Sequence, residues 1–270
     1  MNRQPVHSRG ATWFAALSGH AVPQAGYPAS LLVADATLAG RPARFLSIVP
    51  DSDNRFPRVR NGEIGLVEGW SLARAVHEAM DADRAQPVKR PIVAIVDVAS
   101  QAYGRREEAY GIHQALAGAA GAYAEARLAG HPVIALIVGK AMSGAFLAHG
   151  YQANRLIALN DPGVLVHAMG KAAAARITQR SVEDLEAFAA TVPPMAYDIA
   201  NYQTLGLLWR LLDGIAADAP AAADLARVDE ALTAALADIE ADAVRDLASR
   251  QGGVNRQASA RVREMLAQQW

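Results

Sequence analysis

The chain has 270 residues, 52% of them hydrophobic, and a formal net charge of -1. That length suits one large domain, or a domain with a helical extension, and the balanced charge excludes a nucleic-acid footprint, which needs a clustered positive surface. There is no cysteine, which excludes disulfides, thiolate zinc sites and a cysteine nucleophile.

The opening MNRQPVHSRG lacks the apolar core of a signal peptide. No apolar run approaches the roughly 20 residues that span a bilayer. Both observations predict a soluble cytoplasmic protein. Residues 1–26 read as an N-terminal arm or irregular lead-in. Ser30–Ala34 and Ala43–Pro50 read as strands joined by a turn at Gly40. Asp51–Asn54 is a turn, and the short basic patch Arg55–Arg60 a loop. Glu68–Met80 has helical spacing, with Leu72, Val76 and Met80 on one face.

Pro91–Asp97 is apolar on both faces, as a covered parallel strand is. A polar loop, 98–105, follows. A helix is predicted from Arg106 to Leu128, with an Ala/Gly-rich middle that permits close packing. Gly130-His131-Pro132 ends it. Val133–Val138 is the next buried strand, and Gly144 to about Ala148 a short helix. Arg155–Leu159 and Val164–Val166 are shorter strands. From Ala172 the pattern is helical: Ser181-Val-Glu-Asp184 is a capping signature, and Pro193-Pro194 is read as starting a helix through Leu212. Leu225, Val228, Leu232, Leu236 and Ile239 stripe one long helix, and Arg256–Trp270 forms the last. The alternation predicts βαβ units, right-handed crossovers and a mainly parallel sheet. Sites in such sheets form at the C-terminal strand ends, here loops 98–105 and 139–144.

Two segments carry a resemblance: Pro91-Ile-Val-Ala-Ile-Val-Asp-Val-Ala-Ser-Gln-Ala-Tyr-Gly104 and Val133-Ile-Ala-Leu-Ile-Val-Gly-Lys-Ala-Met-Ser-Gly-Ala-Phe146. Together they resemble the carboxyltransferase branch of the crotonase superfamily, in which a strand-Asp-x-Pro-Gly-Phe loop precedes a helix and a strand ending Lys-Ala-x-Gly-Gly-Ala. Further segments (Arg41–Leu46, Asp53–Pro57, Asn61–Trp70 and Asp161–Gly170) are similar to the γ subunits of biotin-independent malonate decarboxylase. The resemblance runs from about Gly10 to Leu212. It implies an α/β, crotonase-like ββα spiral fold with a helical C-terminal region: a carboxyltransferase-type domain over 27–214, and an extension over 215–270 packing on the core or a partner subunit. This sequence departs from the pattern twice. Ala99-Ser100-Gln101 stands for Pro-Gly-Phe, and Ser143-Gly144 for Gly-Gly.

The resemblance further implies decarboxylation of a malonyl thioester to an acetyl thioester and CO2. Loss of CO2 leaves an enolate, and two backbone N–H groups aimed at its oxygen would stabilise the transition state. Ser143 and Gly144, with Ser100 and Gln101, are the candidates. Gly104, Tyr110, His113, Met142 and His149 are candidates for lining the acyl pocket or meeting the substrate arm. The implied partners are a homologous β subunit, an acyl-carrier δ subunit and an acyl-carrier transferase α subunit. The substrate arm is a CoA-like phosphopantetheine on the carrier, with no biotin and no cofactor bound directly. No His/Asp/Glu group has metal-ligand spacing, so no metal is expected.

Rival readings exist. Ser143 could be a nucleophile elbow, but alanines occupy the glycine positions of Gly-x-Ser-x-Gly, and Asp161 and His167 follow too closely for that fold. His149 and His113 could equally be packing residues, Lys140 a surface lysine, and the Leu225–Ile239 stripe core. A self-sufficient crotonase-type hydratase or hydrolase would need its own carboxylate, for which the loops offer only Asp97. A non-catalytic scaffold subunit is the third possibility.

Overall fold

The computed structural model describes residues 8–242 and 244–270. Residues 1–7 of the expected arm lie outside them. The rest of that lead-in holds a helix, α1 (Arg9–Leu17), capped by the Ser8 hydroxyl on the Ala11 N–H. Its Trp13 and Phe14 sit in the main core, and the Trp13 indole donates to the Ala217 carbonyl at 2.8 Å. The sequence pattern hides this helix because only one turn of its face is large and apolar.

The strands are β1 (Leu31–Leu38), β2 (Arg41–Ile48), β3 (Ile92–Val98), β4 (Val133–Met142), β5 (Arg155–Leu159), β6 (Leu165–His167) and β7 (Arg210–Leu212). The sheet order is β1-β2-β3-β4-β5-β7. Among the strands of the described residues only β1 and β2 pair with each other antiparallel, as a hairpin in which Leu31 faces Ile48. Every other pairing is parallel. Strand β4 is longer than its apolar run suggests, because it serves two neighbours. Ile134–Ile137 pair with β5, whereas Lys140–Met142 pair with β6. The sheet therefore turns as it passes the end of β4, which produces the spiral.

Helices α2 (Leu66–Ala82) and α4 (Ile112–Leu128) cross at their small residues. A Cβ on Gly69 would lie 2.7 Å from the Ala115 carbonyl oxygen, and one on Gly118 would lie 2.7 Å from the Trp70 ring. The Ala/Gly-rich middle of α4 thus serves close packing. The helix read as continuous from Arg106 is broken. α3 (Arg105–Ala109) stops at Tyr110, and Gly111 turns the chain at φ 81 before α4 begins. Left-handed backbone is inexpensive only for glycine.

α5 (Ser143–Ala148), α6 (Lys171–Ile177) and α7 (Val182–Ala189, capped by Ser181) follow as the spacing indicates. The helix read from Pro193 to Leu212 is a correction. Its prolines open a single 3-10 turn (Pro193–Met195), α8 covers only Ile199–Thr204, and Gly206 at φ 73 releases the chain into β7 on the edge of β5. α9 (Ala222–Ala241) buries Val228, Leu232, Leu236 and Ile239 in the main core. α10 (Gln257–Ala267) buries none of its residues. No helix of the described residues is long and apolar enough to cross a membrane.

Candidate active site

The ends of β3 and β4 are locked together by Asp97. The β3 register slips between Val96 and Val98, and there the Asp97 carboxylate accepts the Lys140 N–H at 3.1 Å and the Gly10 N–H at 3.3 Å. Gly139 is obligatory at this crossing, since any Cβ would collide with that carboxylate. Asp97 is thus engaged by the backbone of β4 and of α1. Lys140 has an exposed side chain and contributes its backbone N–H here.

The first loop is held from its other side. Ile64 donates to the Ser100 carbonyl at 3.1 Å and accepts from the Ala102 N–H at 2.8 Å. Behind Ile64, the buried Glu68 carboxylate accepts the Gly65 N–H, the Ser30 hydroxyl and the Asn54 amide. Among the described residues, the N–H groups of Ser100 and Gln101 meet no acceptor. The second loop is the turn into α5. Ser143 sits there at φ 59, in the left-handed region, where a non-glycine residue carries about 1–2 kcal/mol of strain. The sharp strand-to-helix turn therefore forms despite its flanking alanines.

The two loops touch. The Gly144 N–H donates to the Gln101 side-chain oxygen at 3.1 Å, across 43 residues of sequence. An amide oxygen thus already occupies the position in front of the Gly144 N–H. Beside this contact opens a mostly apolar cavity of about 340 Å³. Ser143, Gly144, Phe146 and Leu147 form its floor; Tyr151, Tyr202, Leu205 and Leu207 form a wall; Val166 and His167 of β6 close another side. A larger cavity of about 630 Å³, lined by Arg41, Asp83, Lys89 and Arg90, lies where β2 and β3 begin, at the opposite end of the sheet from the loops.

Of the other expected residues, Met142 ends β4 and is buried in register with His167. Gly104 caps α3, Tyr110 is 65% exposed at the α3–α4 break, and His113 is exposed on α4. None of these lines the cavity. His149 is fully buried away from it. Its Nδ1 bonds the Tyr123 hydroxyl and its Nε2 the Ile95 carbonyl, both at 3.0 Å. Burial pushes its pKa down to about 4, against the opposing bond from Ile95, so it is a neutral core residue. Most of the cavity wall is not legible in the sequence, because Tyr202, Leu205 and Leu207 lie about 60 residues beyond Ser143. The visible signal was His167, a titratable residue in a three-residue strand registered with the end of β4.

No hydrolase constellation forms. The His167 Nδ1 lies 2.9 Å from the Met169 carbonyl oxygen and 3.1 Å from the Met169 nitrogen, so among the described residues backbone, and no carboxylate, orients it. Among the described residues no group of three His, Asp or Glu side chains could hold a metal.

The fold defines the class first. Transcarboxylase 12S, with methylmalonyl-coenzyme A and methylmalonic acid bound, superposes with a TM-score of 0.66 at 20% identity, over 89% of this chain and 43% of that one. The geranyl-CoA carboxylase β subunit of P. aeruginosa gives 0.61 at 15% identity, over 88% and 43%. At those identities the likeness is one of fold, and the fold is the crotonase-like carboxyltransferase one. The malonate decarboxylase gamma subunit model matches residues 59–270, and the chain belongs to that family. A chain of a Pseudomonas malonate decarboxylase hetero-tetramer in complex with coenzyme A is 68% identical, with a TM-score of 0.94 over 97% of this chain and 100% of that one. A chain of the Pseudomonas MdcD-MdcE hetero-dimer is 65% identical, with 0.91 over 97% and 99%. Malonyl-S-ACP:biotin-protein carboxyltransferase MADD of Malonomonas rubra is 37% identical over 166 residues, 60% of this chain. The chain spans 57% of that curated relative's length.

Proposed function

We propose that this chain is the γ component of a malonyl-thioester decarboxylase, a carbon–carbon lyase of the cytoplasm. It would act with a homologous β subunit on malonyl groups carried by the phosphopantetheine arm of an acyl-carrier δ subunit, loaded by an α-subunit transferase. The observation that carries the reading is the Gln101 oxygen on the Gly144 N–H at 3.1 Å. A thioester oxygen arriving there would replace a neutral amide oxygen. Charge then grows on it as the bond to the carboxylate breaks, CO2 departs, and the electron pair moves into the enolate. A donor fixed in advance gains most when that charge appears. Ser100 and Gln101 N–H groups, which meet no acceptor among the described residues, are the candidates for the second donor. A proton on carbon then completes the acetyl thioester.

Nothing in this chemistry needs a nucleophile, and among the described residues no base bonds the Ser143 hydroxyl. Residues 27–214 would form the catalytic unit. The extension 215–270 would brace it, partly through the Arg9 bonds to Asp218 and Asp161. CO2 is released rather than passed to biotin, although the MADD relative is named for a biotin-protein acceptor.

The test is to purify the chain with and without its β partner and to measure CO2 release from a malonyl thioester. The assembled complex should release CO2, and avidin should not inhibit it. Enoyl-thioester hydration by the isolated chain would overturn the reading. So would full decarboxylation by the partner alone.

A further inference from the structure

We infer that a cavity at the start of β5 is a binding site for a small oxyanion, a carboxylate or a phosphate, gripped by the Arg250 guanidinium and the Asn154 amide. The site is separate from the two loops and does not depend on the decarboxylase reading. The cavity is about 330 Å³ and lies between Asn154–Leu156, residues 206–209 and the turn Ala248–Arg250. Strands β4 and β5 run parallel, so this end of β5 is the one away from loops 98–105 and 139–144.

Three observations carry the inference. First, Arg250 is a buried cation without a counter-charge. It is 6% exposed, and among the described residues no carboxylate bonds it. Its Nη1 donates to the Tyr151 carbonyl at 2.6 Å, whereas Nε and Nη2 meet no acceptor. Buried charges are normally paired, and one left alone is strongly destabilising. Second, the two idle nitrogens form a matched pair. Nε and Nη2 present parallel N–H bonds along one edge of the planar group, the edge that a carboxylate or phosphate engages with two oxygens. Tyr151 fixes that edge in advance, through its carbonyl and through its ring, whose centroid lies 5.5 Å from the guanidinium carbon. Third, Asn154 borders the same cavity and is 2% exposed. The Val133 N–H donates to its side-chain oxygen at 2.9 Å, so the other end of the amide is the NH2, a donor. Among the described residues that NH2 meets no acceptor.

The neighbouring charges leave the site cationic. Every Arg155 nitrogen is used: Nε on Asp238, Nη2 on Asp242 at 3.0 Å, and Nη1 on the Asn154 carbonyl at 3.1 Å. Asp238, which also borders the cavity, is thus the counter-ion of Arg155 and not of Arg250. Burial, reinforced by the positive Arg127 and Arg155, pushes the Arg250 pKa down to about 10, so the guanidinium is charged at pH 7. Charge-assisted bonds to an anion are stronger in such surroundings than in water.

The experiment titrates the assembled complex with inorganic phosphate and with acetate, each against sodium chloride of equal ionic strength, by calorimetry and by melting temperature. An anion that binds the folded state raises the melting temperature. One of the two should do so beyond chloride, and which one does distinguishes a phosphate from a carboxylate ligand. Arg250→Lys keeps the charge but not the fork, and should weaken binding about 10–100-fold. Asn154→Asp keeps an oxygen for the Val133 N–H and puts a carboxylate in the cavity, so the response should vanish. The second variant leaves Arg250 in place and decides the matter even where Arg250→Lys fails to fold. A wild-type complex that responds to neither anion overturns the proposal. So does undiminished affinity in either folded variant, because the anion then lies elsewhere.

Discussion

Gly144 is the second residue of α5, so its N–H makes no helical bond, and among the described residues its one acceptor is the Gln101 oxygen. Proline fits the first turn of a helix for that reason, which makes Gly144→Pro a way to delete this donor. Proline also restricts the residue before it, and Ser143 at φ 59 is already strained. The clean comparison is therefore Ser143→Gly/Gly144→Pro against Ser143→Gly alone, because glycine tolerates the left-handed turn. Losing the Gln101 contact should cost about 0.5–1.5 kcal/mol of stability. Losing the catalytic donor should cost about 2.7–4 kcal/mol in the barrier, or about 10²–10³-fold in kcat. Gly144→Ala is the steric control. Its Cβ would meet Gln101 at 3.5 Å and Leu116 at 3.6 Å, ordinary contacts, and its N–H remains, so kcat should hold within about ten-fold. The assay is CO2 release from malonyl thioester by complexes whose melting temperatures show them folded. If the proline variant matches its Ser143→Gly parent, the Gly144 N–H is no part of the oxyanion site.

Three further outcomes are expected. Ser143→Ala should lower kcat less than about ten-fold, whereas a nucleophile would lose on the order of 10⁶-fold; steady-state CO2 release separates the two. His149, with its pKa near 4 in the folded chain against about 6.5 unfolded, takes up a proton on unfolding between those values. Stability should therefore fall as pH drops from 6.5 to 4, by up to about 3 kcal/mol from this residue, and His149→Gln should flatten that slope in urea melts. Burial raises the Asp83 carboxyl, but the Arg90 side-chain and backbone bonds at 2.7–2.9 Å outweigh it and hold it below the usual carboxylate range. Asp83→Asn should cost about 1.5–3 kcal/mol at pH 7. That difference should shrink as pH falls below about 4 and through the lowered pKa, as chemical denaturation across pH would show.

The parts of this fold legible in the sequence are those set by local apolar runs. Pro91–Asp97 and Val133–Val138 read as covered strands because they are apolar on both faces, and α9 read as a stripe because its buried residues recur at helical spacing. What the sequence hides depends on distant partners. β7 is three residues, and it is a strand only because β5 offers an edge. Tyr110-Gly111 breaks a helix whose composition is helical throughout. At the site, the resemblance located both loops. It did not show that the Gln101 side chain, rather than its backbone, reaches Gly144, a contact made across 43 residues of sequence. His149, six residues past Ser143, was open to either a site or a packing reading, and its imidazole enters the core between the Tyr123 hydroxyl and the Ile95 carbonyl.

The most direct measurement is a structure of the assembled complex with a non-decarboxylating malonyl-thioester analogue. The account predicts the thioester oxygen about 2.7–3.1 Å from the Gly144 nitrogen, with the Gln101 side chain displaced from that amide. A bound analogue whose oxygen lies elsewhere, with Gln101 still seated on Gly144, would contradict it.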